Sequence, residues 1–263
     1  CLDGIMGQSL DPASVGGAEI VVAANGCTDR TVAVAEGYLE HALAKGWRLT
    51  VLDIPQGGKV NALNRADAVA SGEMRAYLDA DVVLSPLVRE QVSAALNTPV
   101  PSYASVTLTV APAQSWVTRH FARVWIHLPF MTTGVPGAGL FAVNGPGRAR
   151  WKDFPPIIAD DAYVRLHFSP RERLSVPATY TWPMTEGFNG LVKVRRRQDI
   201  GGAEVAELYP DMMANEGKPP LTFTGMLRLA KAMPVSFAVY SAVLLLVRIT
   251  AWTSSRDQWS RGR

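Results

Sequence analysis

The chain of 263 residues contains two cysteines and four histidines, and neither type is clustered. Cys1 and Cys27 form no CxxC pair, which excludes a structural zinc site and a disulfide framework and fits a reducing compartment. His41, His120, His127 and His167 are dispersed and read as surface or core residues rather than ligands. Charge of one sign is also scarce: 26 Lys and Arg against 23 Asp and Glu leave a net +3. The one basic cluster, Lys193 to Arg197, has no aromatic interleaving, so nucleic acid is not an expected partner. The opening Cys1-Leu2-Asp3-Gly4-Ile5 has neither an initiator Met nor a signal-peptide pattern, and the chain reads as truncated at its N-terminus. A hydrophobic content of 48% with 19% charged residues is that of a globular chain with a real core.

What is present is an alternation of strand and helix patterns. Glu19 to Ala24 is a β-type run that stops at the polar turn Asn25-Gly26-Cys27-Thr28-Asp29, and Val32, Ala35, Leu39, Ala42 and Leu43 predict a helix over residues 31–45. Arg48 to Leu52 predicts a second strand, Lys59 to Ala70 a second helix, and Met74 to Leu84 a third strand interrupted by Asp79 and Asp81. That order predicts an α/β fold with a mostly parallel, Rossmann-like sheet flanked by helices, whose ligands bind beyond the carboxyl ends of the strands. Pro86 to Leu96 reads as a helix, Tyr103 to Val110 as a strand and Ser115 to Leu128 as a helix. Gly134 to Gly147 reads as a loop around Leu140 to Val143, and a helix follows Asp160-Asp161.

Four polar features fall where such a crevice would open. Asn25 to Thr31 enters a helix N-terminus, where backbone amides meet phosphate, although a plain N-cap by Thr28 or Asp29 explains it as well. Gly58-Lys59 couples close backbone approach to a cation able to offset phosphate charge; a solvated lysine is the alternative. Asp79 and Asp81, two residues apart at a strand end, point to one side and suit a hard cation such as Mg2+ or Mn2+, with a turn or cap as the alternative. Asp160-Asp161 either simply stabilises a helix start through its dipole or supplies a general base. Gly137 to Ala142 formally satisfies GxGxxG, but Pro136 precedes it and Asn144-Gly145-Pro146-Gly147 follows, so a dinucleotide fingerprint is rejected.

Taken in order, these segments resemble glycosyltransferase family 2, the inverting enzymes of GT-A fold. Asn25 to Thr31 is similar to the family's DGSTDGT segment, Gly58-Lys59 with Ala62-Leu63-Asn64 to its GK..ALN segment, and Leu78-Asp79-Ala80-Asp81 to its LDAD motif. Gly137 to Phe141 resembles its acceptor-side glycine segment, Asp160-Asp161 its Glu-Asp pair, and Arg195-Arg196-Arg197-Gln198 its late arginine motif without the tryptophan. The resemblance covers about residues 1 to 200.

It implies a metal-dependent transfer of a sugar from a nucleotide-diphosphate sugar to a hydroxyl acceptor, glycan or lipid-linked. Asn25, Asp29, Lys59, Asp79, Arg196 and Arg197 would bind the donor's nucleotide and diphosphate. Asp81, with Asp79, would hold Mn2+ or Mg2+; Gly137, Gly139 and Asp160 would line the acceptor side; Asp161 would be the catalytic base. It also implies a first strand upstream of Cys1. Asn25 and Asp160 stand where the family has Asp and Glu. The alternatives are a nucleotidyltransferase of similar fold and a non-catalytic membrane-associated scaffold.

The expected organisation is a transferase domain over residues 1–215 and an apolar helical tail over 216–263. Val235 to Val247 is 13 residues, about 20 Å as a helix, short of a hydrocarbon core of about 30 Å. Extension to Trp252 places Arg248 inside. With Arg228 and Lys231 just ahead, the tail reads as a shallow or interfacial membrane helix, with a buried or dimer-forming helix as the alternative, and the expected location is the cytoplasmic face of the cell membrane.

Overall fold

The computed structural model describes residues 1–251. After α1 (Leu2–Met6), β1 (Ala18–Asn25) and β2 (Trp47–Ile54) pair in parallel, joined by α2 (Thr31–Glu36) and α3 (Leu39–Ala44). The single helix predicted over 31–45 is thus two short ones, broken at Gly37-Tyr38. Ile20, Ala42 and Trp47 form a small core between these elements and Met6 of α1.

α4 (Lys59–Val69) leads to β3 (Arg75–Leu78) and β4 (Val83–Leu84), followed by α5 (Val88–Leu96) and β5 (Tyr103–Val110). Next come α6 (Trp116–Trp125), α7 (Pro129–Thr133), β6 (Leu140–Val143), α8 (Gly145–Arg148), α9 (Asp160–Leu166) and β7 (Arg173–Trp182). The strands order as β3-β6-β5-β7-β4 in a second sheet.

This corrects the expectation of one mostly parallel sheet. β5 and β7 are parallel, but β6 runs antiparallel to both β3 and β5, and β4 antiparallel to β7. The correction originates in Leu140 to Val143: all four residues are buried, so the run carries no alternation, and four residues are too few for periodicity to distinguish strand from loop. β1 and β3 are not hydrogen-bonded to each other, and the edges of both line the same crevice.

One buried carboxylate ties α4 to the second sheet. Asp67 of α4 accepts from Arg75 and, at 3.0 Å, from the Tyr77 hydroxyl, both on β3. Its other oxygen accepts from Arg148 Nε of α8 at 2.7 Å. Its side chain is 6% exposed, so each charge depends on the others for solvation.

The C-terminal third is helical. α10 (Gly187–Leu208) was not predicted, because its glycines and the run Lys193 to Arg197 obscure the apolar period. α11 (Phe223–Ala232) and α12 (Pro234–Ala251) follow. Tyr240, Val243 and Val247 recur on one face of α12 and are buried in a cluster with Phe121, Val124 and Trp125 of α6 and Leu191 of α10. Among the described residues no helix is long and apolar enough to cross a membrane. The extension to Trp252 lies outside the described residues.

Replacing Asp67 with Ala removes the carboxylate from two partly buried guanidinium groups that keep their backbone carbonyl partners. It should lower stability by about 1.5 to 3 kcal/mol, measured by urea unfolding of Asp67→Ala against the parent chain.

Candidate active site

A crevice of about 2780 Å³ runs between β1 and β3 along most of their length and takes in their carboxyl ends. Asn25, Asp29, Lys59, Asp79, Asp81, Gly137, Gly139, Asp160, Asp161 and Arg197 all line it, so the topology gathers segments that lie more than 150 residues apart in the chain. Arg196 does not line it; on α10 the crevice receives Arg195 and Arg197 instead. Arg195 also pairs with Asp199 one turn on, at 2.5 Å.

At the centre is Lys59, the first residue of α4. Its ammonium lies 3.3 Å from Asp79 Oδ1 and 3.0 Å from Asp160 Oδ2, and so bridges the end of β3 and the start of α9. Asp160 is 4% exposed. Burial pushes its carboxyl up to about 6, with Asp161 adding to the shift, while Lys59 pulls the other way. Desolvation disfavours the Lys59 cation, but Asp160, Asp79 and Asp161 more than compensate and its pKa is raised. The Lys59 side chain is still 47% exposed, so the lysine is ion-paired and solvated at once.

Lys59 is placed by the turn before it. Asn25, the last residue of β1, accepts at its Oδ1 from the Gly58 amide at 2.8 Å, and Gly58 itself has φ of 136°, a conformation suited to glycine. An Asp at position 25 could accept the same bond, so the substitution noted from the sequence leaves this contact intact. Asp29 accepts from the Thr31 amide at 3.0 Å and the Thr31 hydroxyl at 2.5 Å, which lowers its pKa. This satisfies an amide of the first turn of α2, as the capping reading anticipated.

Asp79 and Asp81 were expected at a strand end, with a turn as the alternative, and they lie in a turn directly after the strand: β3 ends at Leu78, and the Val82 amide donates to the Asp79 carbonyl at 3.2 Å. The turn is fixed from two sides. The Asp79 amide donates to the Gly139 carbonyl at 2.9 Å, and Val82, fully buried, plugs into the core formed with Val88, Val106 and Tyr180. Burying a valine contributes about 1.5 to 3 kcal/mol, enough to hold two neighbouring carboxylates in place.

The glycine segment makes this packing possible. Gly139 has φ of 77°, and a Cβ there would lie 2.9 Å from Trp182 Cδ1 and 3.1 Å from Val82 Cγ2; at Gly137 it would collide with the Tyr103 hydroxyl. Both glycines precede β6 directly, which agrees with rejecting the dinucleotide fingerprint. Trp182, the last residue of β7, lines the crevice and stacks on Trp125 at 5.9 Å, and sequence reading missed it. The signal was there: Leu174, Val176, Ala178, Tyr180 and Trp182 alternate, interrupted on the other face by Pro177. The structure absorbs that proline in an irregularity where Val106 pairs with Val176 and Thr107 with Thr179.

Asp161 is half-buried and accepts at Oδ1 from the Ala162 amide at 2.8 Å. As a metal site the cluster is sparse. Among the described residues no group of three or more His, Cys, Asp or Glu side chains is arranged to hold an ion. Two carboxylates in a turn fit Mg2+ or Mn2+ only where a ligand's phosphates and water complete the coordination.

Residues 1–145 match the family described as Glycosyl transferase family 2, and the chain belongs to that family. It has the GT-A fold of nucleotide-sugar-dependent glycosyltransferases. Among solved structures it is similar to the mannosyltransferase PcManGT from Pyrobaculum calidifontis in complex with GDP-Man and Mn2+. That match has a TM-score of 0.58 and 19% identity over 97% of this chain and 71% of the other. It is also similar to S. aureus TarS 1-349 in complex with UDP-GlcNAc, at a TM-score of 0.50 and 14% identity over 95% of this chain and 78% of that one. No curated protein matches the sequence.

The raised pKa of Asp160 has a definite sign. Its folded value lies above the unfolded one, so the unfolded chain binds fewer protons between about pH 4 and pH 6 and this group costs stability that grows over that window and is constant above it. Carboxyl NMR of the metal-free protein should show Asp160 protonating near pH 6, and Lys59→Met should move the midpoint upward. A midpoint near 4 in the parent chain would refute the rise caused by burial, and an unchanged midpoint in Lys59→Met would refute the coupling.

Proposed function

We propose that the chain is a metal-dependent, inverting hexosyltransferase that moves a sugar from a nucleoside-diphosphate sugar to the hydroxyl of a glycan or lipid-linked acceptor at the inner face of the cell membrane. The observation that carries this reading is the Lys59 bridge, which brings a diphosphate-type cation, the Asp79 turn and the Asp160-Asp161 pair to one crevice wall. The family supports the donor class. The two similar structures, one holding GDP-Man and Mn2+ and the other UDP-GlcNAc, support a nucleotide sugar without choosing the base or the sugar.

In this reading Asn25 and Asp29 line the nucleotide end of the crevice, and Asp81 and Asp79 hold Mn2+ or Mg2+. The ion, when bound, neutralises the diphosphate and makes it a better leaving group. Lys59 and Arg197 add positive charge on the same side. Arg196 has no part in this reading, since it does not line the crevice. Gly137 and Gly139 let the acceptor-side wall approach closely. Asp161 accepts the acceptor hydroxyl's proton as its oxygen attacks the anomeric carbon and the bond to the diphosphate breaks, with inversion.

The assignment of Asp161 rather than Asp160 follows from engagement: Asp160 is buried against Lys59, whereas Asp161 is half-buried on the crevice wall. Burial nonetheless raises the Asp160 carboxyl to about 6, toward the range of a general base, and this favours a second reading in which the two exchange roles.

The variants separate these. Asp161→Asn should lower kcat by at least about a thousandfold with the far-UV spectrum unchanged. Asp81→Asn should abolish the Mn2+-dependent stabilisation that a nucleoside diphosphate gives in a thermal-shift screen. Asp160→Asn should retain more activity than Asp161→Asn; the reverse order would assign the base to Asp160. Full activity in both Asp81→Asn and Asp161→Asn would contradict the mechanism, and absence of any nucleotide binding would favour the non-catalytic scaffold.

A further inference from the structure

The helical C-terminal third presents apolar residues that the packing does not use. In α11, Phe223, Met226, Leu227 and Ala230 follow at spacings of three, one and three and share one face. Phe223 is 69% exposed, Leu227 45% and Met226 37%. Leu229, on another face, is the residue that packs into the core cluster of α6 and α12. Arg228 and Lys231 are exposed and flank the apolar face on one side. The helix therefore has an anchored face, a bare apolar face and a cationic edge.

The same division recurs on α12. Tyr240, Val243 and Val247 are buried, while Ala238, Ala242, Leu245 and Ile249, at spacings of four, three and four, are exposed. Between Gly217 and Ala251 the chain carries Lys218, Arg228, Lys231 and Arg248 and no Asp or Glu. In a chain whose charges otherwise nearly balance, a segment of four cations without an acid, next to exposed apolar stripes, is complementary to an anionic apolar surface. A second copy of the same segment would instead bring like charges together.

We propose that α11 and the outward stripe of α12 dock the enzyme in the interface of an anionic lipid bilayer. Phe223, Met226 and Leu227 enter the acyl boundary, and Arg228 and Lys231 pair with acidic headgroups. In this arrangement the helices lie in the plane of the interface, and among the described residues none is long and apolar enough to cross a membrane. This deepens only the membrane-face part of the proposed function and rests on that part, not on the transfer chemistry.

The test is flotation of the full chain with phosphatidylcholine vesicles, with and without about 30 mol % phosphatidylglycerol. The chain should float with the anionic vesicles only, and salt at about 0.5 M should release most of it. Arg228→Glu with Lys231→Glu should lower the partition coefficient by at least about 25-fold, at about fivefold per cation. Phe223→Ser with Leu227→Ser should lose the salt-resistant remainder. Circular dichroism reports folding of both double variants, and should the apolar one fail to fold, the charge-reversed one decides. Equal binding to neutral vesicles, binding to neither, or a concentration-dependent dimer that the apolar variant abolishes would overturn the proposal. Turnover of a water-soluble acceptor is read separately: it should be unchanged in the charge-reversed variant, so loss of docking and loss of the transfer reading are distinguishable.

Discussion

Three carboxylates and one ammonium set the geometry on which everything else in this molecule depends. Asp79, Asp160 and Asp161 all act electrostatically on Lys59, and two of them touch it, at 3.3 and 3.0 Å. Without that cation, a buried Asp160 beside a second acidic residue would either protonate or drive α9 away from the end of β3. With it, the start of α9 and the turn after β3 are held at a fixed separation, and the crevice between them has an acidic wall with a positive centre. A nucleoside diphosphate needs cations for its phosphates and an acceptor hydroxyl needs a base. In the proposed function the cluster supplies both.

The surrounding fold is organised to keep Lys59 where it is. Asn25 fixes Gly58 from the end of β1, and Asp67 fixes the other end of α4 to β3 and α8 through Arg75, Tyr77 and Arg148. α4 is thereby tied at both ends to the two sheets, which are not hydrogen-bonded to each other. Positioning the lysine on a helix braced in this way lets it bridge two segments about 20 and 100 residues from it in sequence order.

Much of the site was legible in the sequence because its residues sit at abrupt changes of pattern: Asn25 to Asp29 after an apolar strand, Gly58-Lys59 before a helix, Asp79 and Asp81 inside an apolar run, Asp160-Asp161 at a helix start. What the sequence did not disclose is pairing. Nothing in Lys59 announces two partners, nothing in Asp67 announces two arginines, and one-residue alternation could not decide between a strand end and a turn for Asp79 and Asp81. β7 was hidden by Pro177, β6 by its brevity and α10 by its glycines and cations, so the mixed character of the sheet was not accessible. The apolar tail was visible as composition, but which of its residues the core takes and which it leaves exposed depends on α6, 110 to 130 residues away in the chain.

The central claim is that this cluster carries an inverting sugar transfer from a nucleotide donor. The most direct measurement is the identity of both products of one turnover with Mn2+ present, followed by NMR of the anomeric proton and by nucleotide chromatography. The account predicts a nucleoside diphosphate and a glycoside whose anomeric configuration is opposite to that of the donor; retained configuration, or pyrophosphate in place of the nucleoside diphosphate, would contradict it.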